Sequence, residues 1–518
     1  MALNLNFREK TSLNVITNVM RTLAMALIGI FMVPYYVGNL GIASYAIIPL
    51  ATTMASYIQI VSDSIAYASV RYSTLAMNSG DSEKANITLS SSFFGLGKVC
   101  LTIAPLGILL AIWSPAIFSI SGSTILEVQV LFAMIILSSL IVTLSTPFNG
   151  VFYATNDLYL MYLAKFAYSI AQIGTIILLF VISEASLIEI GIGYLVSSIL
   201  VFVLLVVLSK KIEPKLKISR KYHSKEIFKK ISNLGFWSIL GKIGGMLYIQ
   251  LSMVLVNLYL GSEVQGGFAM IATIISMINT ACYALVDSVE PFIYQAYSKH
   301  KSDEMVQILY TATKIVIVFM AFPVAFLVSY SEEFLTAWVG SNYVYLNNLI
   351  VIGILGNFSF CAVSAILSIP RIYLKIRLPT VITLILGLIN AILTMIIIGD
   401  FGGNSEDALL IWALCTVLLS CFTAVYDAML TGTRIYTFLI SMCTGYLIIA
   451  ITVPVLMYIR TVIVITPNWI SLMALLCTEY IVYFIITYIV LFTKKEKTMV
   501  NSLLPHKLEK YLHKISLR

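Results

Sequence analysis

Charged residues are scarce in this chain. Asp, Glu, Lys and Arg make up 11% of its 518 residues, whereas hydrophobic residues make up 60%. An ordinary soluble domain is about one quarter charged. This shortage excludes a soluble fold, because a surface in contact with water needs far more charge, and it predicts a membrane protein.

Motifs for metal, redox and nucleotide chemistry are also missing. The four histidines form no His-Glu-x-x-His pattern, and the seven cysteines form no Cys-x-x-Cys pair and lie in apolar runs, where a free thiol behaves as a small hydrophobe. The nearest string to a phosphate-binding loop, Gly95-Leu-Gly-Lys98, has the wrong spacing. We therefore expect no metal, cofactor, disulfide or enzyme activity.

What the chain does have is long apolar runs. A helix of ~20 apolar residues crosses a bilayer. Hydropathy predicts an all-α polytopic membrane protein with fourteen such helices: two lobes of six, followed by two extra C-terminal helices. The predicted segments are residues 12–36, 42–67, 91–112, 126–148, 160–182, 187–208, 233–259, 265–291, 307–330, 346–369, 379–399, 408–430, 436–459 and 469–492.

Basic residues predict the orientation of these helices. Of the 32 lysines and arginines, 26 fall in alternate connections and the termini, which the positive-inside rule assigns to the cytoplasm. The connections on the opposite side hold only Arg460. We therefore expect an inner-membrane protein with both termini in the cytoplasm. The five remaining basic residues lie inside predicted helices: Arg21, Lys98, Lys165, Lys242 and Lys314.

A basic run at residues 210–230 separates the first six helices from the next six. It either lies on the anionic inner leaflet or serves only as an orientation signal. It has no interleaved aromatic residues, so a role in nucleic-acid binding is not expected. The predicted domains are an N-terminal lobe at 1–208, a linker at 209–232, a C-terminal lobe at 233–435, two further helices at 436–492 and a basic tail at 493–518.

An internal repeat supports the two-lobed organisation. Three landmarks recur in the same order at offsets of 221, 220 and 224 residues. Both copies begin at the cytoplasmic face, so the repeat is predicted to be parallel, with its pseudo-twofold axis along the membrane normal. The paired landmarks are Arg21 and Lys242, Gly41 and Gly261, and Asp63 and Asp287.

Residues 12–90 and 233–306 carry a resemblance to a known group. They resemble the polysaccharide-unit flippases, of the O-antigen translocase type, within the multidrug/oligosaccharidyl-lipid/polysaccharide (MOP) exporter superfamily. The resemblance implies a V-shaped pair of six-helix lobes around a cavity, alternating access, and a substrate in which an oligosaccharide is joined through diphosphate to a polyprenol. The matching positions are Pro34, Leu40-Gly41, Tyr45, Asp63, Arg71 and Gly80-Asp81.

Charges inside the predicted helices are candidate functional groups, because an ionised side chain at membrane depth is costly. Arg21 and Lys242 each lie about nine residues into a helix, roughly 13 Å deep at 1.5 Å per residue. They would clamp a diphosphate, with Lys98 as a third cation. Alternatively, Asp63 and Asp287 on the adjacent helices neutralise them.

Other polar groups in the helices leave further alternatives open. Glu479 is a candidate for a proton or Na⁺ relay, or else a buried carboxyl group, neutral or paired, for example with Lys98. Lys165 lies near a helix end, where it would reach the headgroups and carry no function, and Asp427 is expected to be solvated. Several polar residues would suit sugar contacts: Tyr45, Tyr57, Gln59, Asn149, Asn156, Tyr248, Gln250 and Asn279.

The sequence thus predicts a flippase for polyprenyl-diphosphate-linked oligosaccharides in O-antigen or related surface-polysaccharide synthesis. Its expected partners are the lipid-linked substrate and the bilayer, with a polysaccharide polymerase and other assembly proteins as candidates, and it is expected to work as a monomer. A flippase for a peptidoglycan precursor or teichoic acid has the same cation requirement. A multidrug/cation antiporter would prefer acidic cavity residues. A polymerase or ligase would need a large outer loop with catalytic Arg or His.

Overall fold

The computed structural model describes residues 7–78, 81–234, 236–298, 302–463, 466–493 and 496–497. Within these ranges the chain is helical, with turns and short loops and no β-strand. Twelve of the described helices are long and apolar enough to cross a membrane, or thirteen if one bent pair counts as a single span. This confirms the all-α polytopic prediction, while the count of fourteen and the pseudo-twofold axis stay predictions.

Seven helices precede the basic run. Capping groups mark where some of them begin: the Asp81 side chain accepts hydrogen bonds from two backbone N–H groups at the start of the third helix, and Ser186 and Glu189 form a capping box at the start of the seventh. These helices are α1 (Phe7–Leu40), α2 (Ile42–Asn78), α3 (Ser82–Ile117), α4 (Ile125–Ser145), α5 (Asn149–Thr155), α6 (Leu158–Ile182) and α7 (Leu187–Ile212).

The remaining helices include several short ones. They are α8 (Lys225–Leu234), α9 (Phe236–Met246), α10 (Ile249–Leu260), α11 (Ser262–Ser298), α12 (Ser302–Ser329), α13 (Ser331–Trp338), α14 (Asn347–Val363), α15 (Ile369–Ile372), α16 (Arg377–Gly399), α17 (Ser405–Thr431), α18 (Thr437–Val462) and α19 (Trp469–Leu491).

The predicted helix at 233–259 is broken. Its apolar part consists of two pieces, Ile239–Met246 and Ile249–Leu260, that meet at an angle of 44°. The break leaves backbone carbonyls without intrahelical partners, and Asn390 of α16 donates to one of them, Leu247 O, at 2.9 Å. The prediction of one continuous helix was therefore wrong, because a side chain distant in sequence stabilises the break.

The described residues fall into two compact units, one within 1–273 and 380–408 and the other within 274–379 and 409–518. In the first unit, α4 and α6 pack against α7. In the second, α12 packs against α14 and α18. One apolar cluster of the first unit consists of Phe148, Phe152, Met161, Ala164, Val201 and Leu205.

The basic run is attached to α3 of the first unit. The backbone N–H of Lys217 donates to Asn86 Oδ1 at 2.7 Å, and that of Ser224 donates to Ser91 Oγ at 2.8 Å. Phe228 of α8 lies so close to Gly95 that a Cβ atom there would clash with its ring. The attachment leaves the nine basic side chains of residues 210–230 exposed.

Candidate functional site

A cavity of about 360 Å³ lies inside the first unit. Residues of α1, α2, α4, α5, α6 and α7 contribute to its wall, together with the turn after α4. No acidic residue belongs to the described lining, which is basic, hydroxyl-bearing, amide-bearing and apolar. Its principal polar side chains are Arg21, Gln59, Asn149, Lys165, Tyr168 and Tyr194.

Arg21 reaches this cavity from α1. Its Nη2 donates to Asn18 Oδ1 at 3.2 Å, and its Cζ lies 5.6 Å from the centre of the Tyr162 ring. Its Nε is buried without a hydrogen-bond partner, and no described carboxylate pairs with the guanidinium group. The alternative of neutralisation by Asp63 is not tested, because that side chain lies outside the described residues.

Lys165 of α6 lines the same cavity and lies close enough to Arg21 for the two positive charges to interact. Its ammonium group has no hydrogen-bond or ion-pair partner among the described residues. Lys165 was expected to reach the headgroups, whereas it lies in the wall of this cavity. The available signal was a polar stripe at helical spacing along α6: Lys165, Tyr168, Ser169 and Gln172.

Asn14 fixes the start of α1 against the start of α6 and so positions Arg21 beside Lys165. The side chain of Asn14 is buried, donates to Asn156 Oδ1 at 2.9 Å and accepts from Tyr159 N at 2.7 Å. The Asn156 side chain was predicted to suit a sugar contact, and in the structure it accepts a hydrogen bond from Asn14.

A second cavity of about 270 Å³ adjoins the first, with which it shares Met25, Thr52 and Tyr194. Tyrosines, an amide and hydroxyl groups line it alongside apolar residues. Aromatic faces, amides and hydroxyls are the groups that a sugar-binding site uses. Its polar and aromatic lining consists of Tyr36, Tyr45, Thr52, Ser169, Gln172, Tyr194 and Thr273.

Lys98 does not belong to either lining. Its exposed ammonium group lies 3.5 Å from Nε2 of His223 in the basic run. Partial burial, with Lys98 and Lys225 nearby, lowers the pKa of His223, so a neutral imidazole accepts the hydrogen bond from Lys98 at neutral pH. A role for Lys98 as a third substrate cation stays a prediction.

Lys242 is exposed on α9, before the bend, and is not part of either lining. Asp287, the predicted neutralising acid, is an exposed residue of α11. The structure thus places Lys165, which was not predicted to have a function, beside Arg21. Lys242 does not belong to the described lining of the same cavity.

Glu479 of α19 belongs to the second unit. Its Oε1 accepts a hydrogen bond from Tyr330 Oη at 3.0 Å, and its Oε2 is buried without a partner. Elsewhere in the second unit, Arg460 forms ion pairs with Glu333 at 2.6 Å and with Glu332 at 2.7 Å. Glu479 is therefore a hydrogen-bonded carboxyl group, and its relay role stays a prediction.

Long apolar helices and a polar cavity with no acidic residue in its described lining define a membrane protein of many spans. The model of the family described as "Polysaccharide biosynthesis protein" matches residues 13–297, which is more than half of the chain. The chain therefore belongs to that family. This agrees with the prediction that it is not an enzyme.

Three comparisons extend this result. The chain is 22% identical over 497 residues to "Uncharacterized membrane protein EpsK" of Bacillus subtilis (strain 168), covering 95% of this chain and 97% of that protein. It is similar to a structure of the lipid II flippase MurJ with a TM-score of 0.67, 16% identity and coverage of 91% and 98%. It is similar to an inward-facing MATE family multidrug resistance transporter of the MOP superfamily with a TM-score of 0.63, 14% identity and coverage of 81% and 98%. The two solved structures show that this chain has the fold that the resemblance predicts, and the family match agrees with it.

Proposed function

We propose that this protein is a flippase that moves polyprenyl-diphosphate-linked oligosaccharide units from the cytoplasmic to the outer leaflet by alternating access, for O-antigen or a related surface polysaccharide. The observation that carries the proposal is the pair of adjoining cavities in the first unit. One cavity holds two cations that do not pair with described acids, and the other is rich in tyrosine. Both termini are proposed to lie in the cytoplasm.

The charges of the first cavity suit an anionic substrate. Two cationic groups in a partly desolvated site repel each other unless an anion lies between them, and hydrogen bonds from Arg or Lys to phosphate are stronger than neutral ones. A diphosphate supplies that anion. A cationic drug would instead meet Arg21 and Lys165, with no described acidic lining residue to balance its charge.

The adjoining cavity suits the sugar next to the diphosphate. Tyr36, Tyr45 and Tyr194 combine apolar faces with hydroxyl groups, and Gln172 adds an amide. These groups recognise a polar ring by stacking and hydrogen bonding without requiring charge. The order of the two cavities therefore matches the chemical order of diphosphate and sugar in the proposed substrate.

The test is complementation of a strain that lacks this gene and its surface polysaccharide. We expect wild type to restore the polymer, and Arg21→Ala and Lys165→Ala to reduce it, with the double variant the most severe. Arg21→Lys and Lys165→Arg keep the charge and should retain more polymer than the alanine variants. Lys229→Ala, an exposed lysine of α8, is the matched control and should behave as wild type at equal membrane levels.

A binding measurement separates affinity from assembly in the cell. Polyprenyl diphosphate should raise the thermal unfolding temperature of the purified wild type, whereas the uncharged polyprenol should not. The Arg21→Ala/Lys165→Ala variant should lose the difference between the two probes. A normal polymer level in this double variant would contradict the assignment of the cavity.

A further inference from the structure

Asp427 lies in the last turn of α17 and is the most completely buried acidic residue of the described chain. It has 0% exposure, and neither Oδ1 nor Oδ2 has a hydrogen-bond partner. Its position near a helix end predicts a solvated side chain, and that prediction was wrong. An ionised carboxylate is rarely buried unless it is paired or hydrogen-bonded.

The backbone around Asp427 also disfavours a negative charge. The helix ends at Thr431, Gly432 has a φ of 71°, and Thr433 N donates to Ala428 O at 3.0 Å, as in a C-terminal Schellman cap. The carbonyl groups of the last turn form the negative end of the helix dipole. A carboxylate there would lie at the end of the helix that repels it.

No described side chain of the neighbouring elements pairs with the Asp427 carboxyl group. Tyr426, the adjacent residue, donates its hydroxyl to Lys375 O at 3.1 Å, and no described charged side chain acts on the Asp427 carboxyl group. Two arginines of the flanking segments, one in α15 and one just after α17, have other partners: Arg371 lies 3.9 Å from Glu290, and Arg434 donates to the Tyr436 hydroxyl. Helix α14, which contacts α17 through a hydrogen bond from Ser420 to Ser359, carries one titratable residue, Cys361. On α18 the titratable residues are Cys443, Tyr446, Tyr458 and Arg460, and the charged one, Arg460, pairs with Glu332 and Glu333.

We propose that Asp427 binds a proton in this conformation and releases it when water reaches this end of α17, so that it is a proton-coupling site of the transport cycle. The O–H bond of the carboxylic acid breaks, the proton passes to water, and the carboxylate remains on the protein. A conformation that exposes the group favours the charged form, and the buried conformation favours the neutral form. The coupling part of this proposal rests on the proposed transport function, whereas the protonation part does not.

Infrared spectroscopy of the full chain in liposomes tests the protonation directly and needs no substrate. We expect a protonated-carboxyl stretching band at neutral pH in wild type and in Asp400→Asn, and loss of that band in Asp427→Asn. Asp400 is the matched control because it is an exposed aspartate next to the end of α16. Labelling wild type with carboxyl-¹³C aspartate shifts the same band and needs no substitution, so the test survives if the Asn variant does not fold. Absence of a label-sensitive protonated band would overturn the proposal.

The coupling is measured in complemented cells by surface polymer with and without collapse of the pH gradient by nigericin. For one proton per substrate, a gradient of one pH unit supports about a tenfold concentration ratio. Wild type and Asp400→Asn should lose polymer when the gradient collapses, and Asp427→Asn should no longer respond. An Asp427→Asn variant that responds as wild type would overturn the coupling. Failure of wild type to restore any polymer would refute the proposed function and leave the infrared result valid.

Discussion

The two copies of the sequence repeat differ in their first helix and agree in the turn and helix that come after it. In the first copy α1 runs unbroken for 34 residues, whereas its counterpart is divided into α9 and α10 by a bend. After each comes a glycine with positive φ, Gly41 at 78° and Gly261 at 89°, and then a helix of 37 residues, α2 or α11. The repeat thus preserves the turn and the length of the second helix, but not the path of the first.

Small residues and a distant asparagine account for the difference. At the shared offset of 221 residues, Leu23 and Ala24 of α1 correspond to Gly244 and Gly245 of α9. Glycine weakens a helix and lets another helix approach closely, and here α16 comes within contact of Gly244. Asn390 of α16 then satisfies the carbonyl group freed by the break. Equivalent positions in a repeat therefore need not give equivalent environments to Arg21 and Lys242.

The largest expected effect comes from reversing the two equivalent charges separately. Arg21→Glu places an acid in the cavity, and because a hydrogen bond to a charged group contributes about 1.5–3 kcal/mol, we expect polymer export to fall roughly tenfold or more. Lys242→Glu changes an exposed residue before the bend and should have a smaller effect. Both are measured by complementation at equal membrane levels. Equal losses in the two variants would show that the copies are functionally equivalent despite their structures.

The next largest effect is expected where α16 packs closely against the bend between α9 and α10. A Cβ atom at Gly387 of α16 would lie 2.8 Å from Leu247 Cβ and 3.0 Å from Gly244 O. Gly387→Ala should therefore lower the free energy of unfolding by about 1–3 kcal/mol, as overpacked sites do. Gly245→Ala is the control because a Cβ atom there meets no atom within 4 Å. Unfolding in mixed micelles measures both, and similar values for the two would contradict the packing at the bend.

The two asparagines that hold the first helix of each copy should have comparable, smaller effects. Asn14 holds the start of α1, and Asn390 holds the bend between α9 and α10. Replacing either with Ala leaves buried backbone groups unsatisfied, which costs roughly 1–2 kcal/mol in the free energy of unfolding. Amide hydrogen exchange should then rise near Tyr159 in Asn14→Ala and near Tyr248 in Asn390→Ala. Exchange that rises throughout the protein in both variants would mean that neither contact is local.

The smallest effect is expected for the ion pair beside Asn14. Lys10 lies 2.7 Å from Asp157, and 23% of the lysine side chain is exposed. Partly exposed ion pairs contribute up to about 1 kcal/mol, and salt screens them. Because Asp157 is buried, both partners are replaced so that no charge is left unpaired, and Lys10→Met/Asp157→Asn should destabilise the protein slightly at low salt and less at high salt. A loss that is large and independent of salt would show that Lys10 has a packing role.

The sequence allowed the spans to be predicted because bilayer thickness and hydropathy set their length and position, and each predicted segment coincides with a helix or, at 233–259, with a bent pair. The direction of individual side chains was harder to predict. Lys165 was assigned to the headgroups, although the polar stripe of α6 pointed to a shared face. Asp427 was expected to be solvated, because nothing near it in sequence indicates that neighbouring segments cover the end of α17. Contacts of this kind depend on residues far apart in the chain.

The attachment of the basic run to α3 has a consequence for sequence change. Its bonds to Asn86 and Ser91 come from backbone N–H groups of the run, which most residue types can supply. The serine and asparagine acceptors on α3 are therefore constrained, whereas Lys217 and its basic neighbours are open to replacement without loss of the attachment. The charge of this segment can therefore change by substitution while its path over α3 is retained.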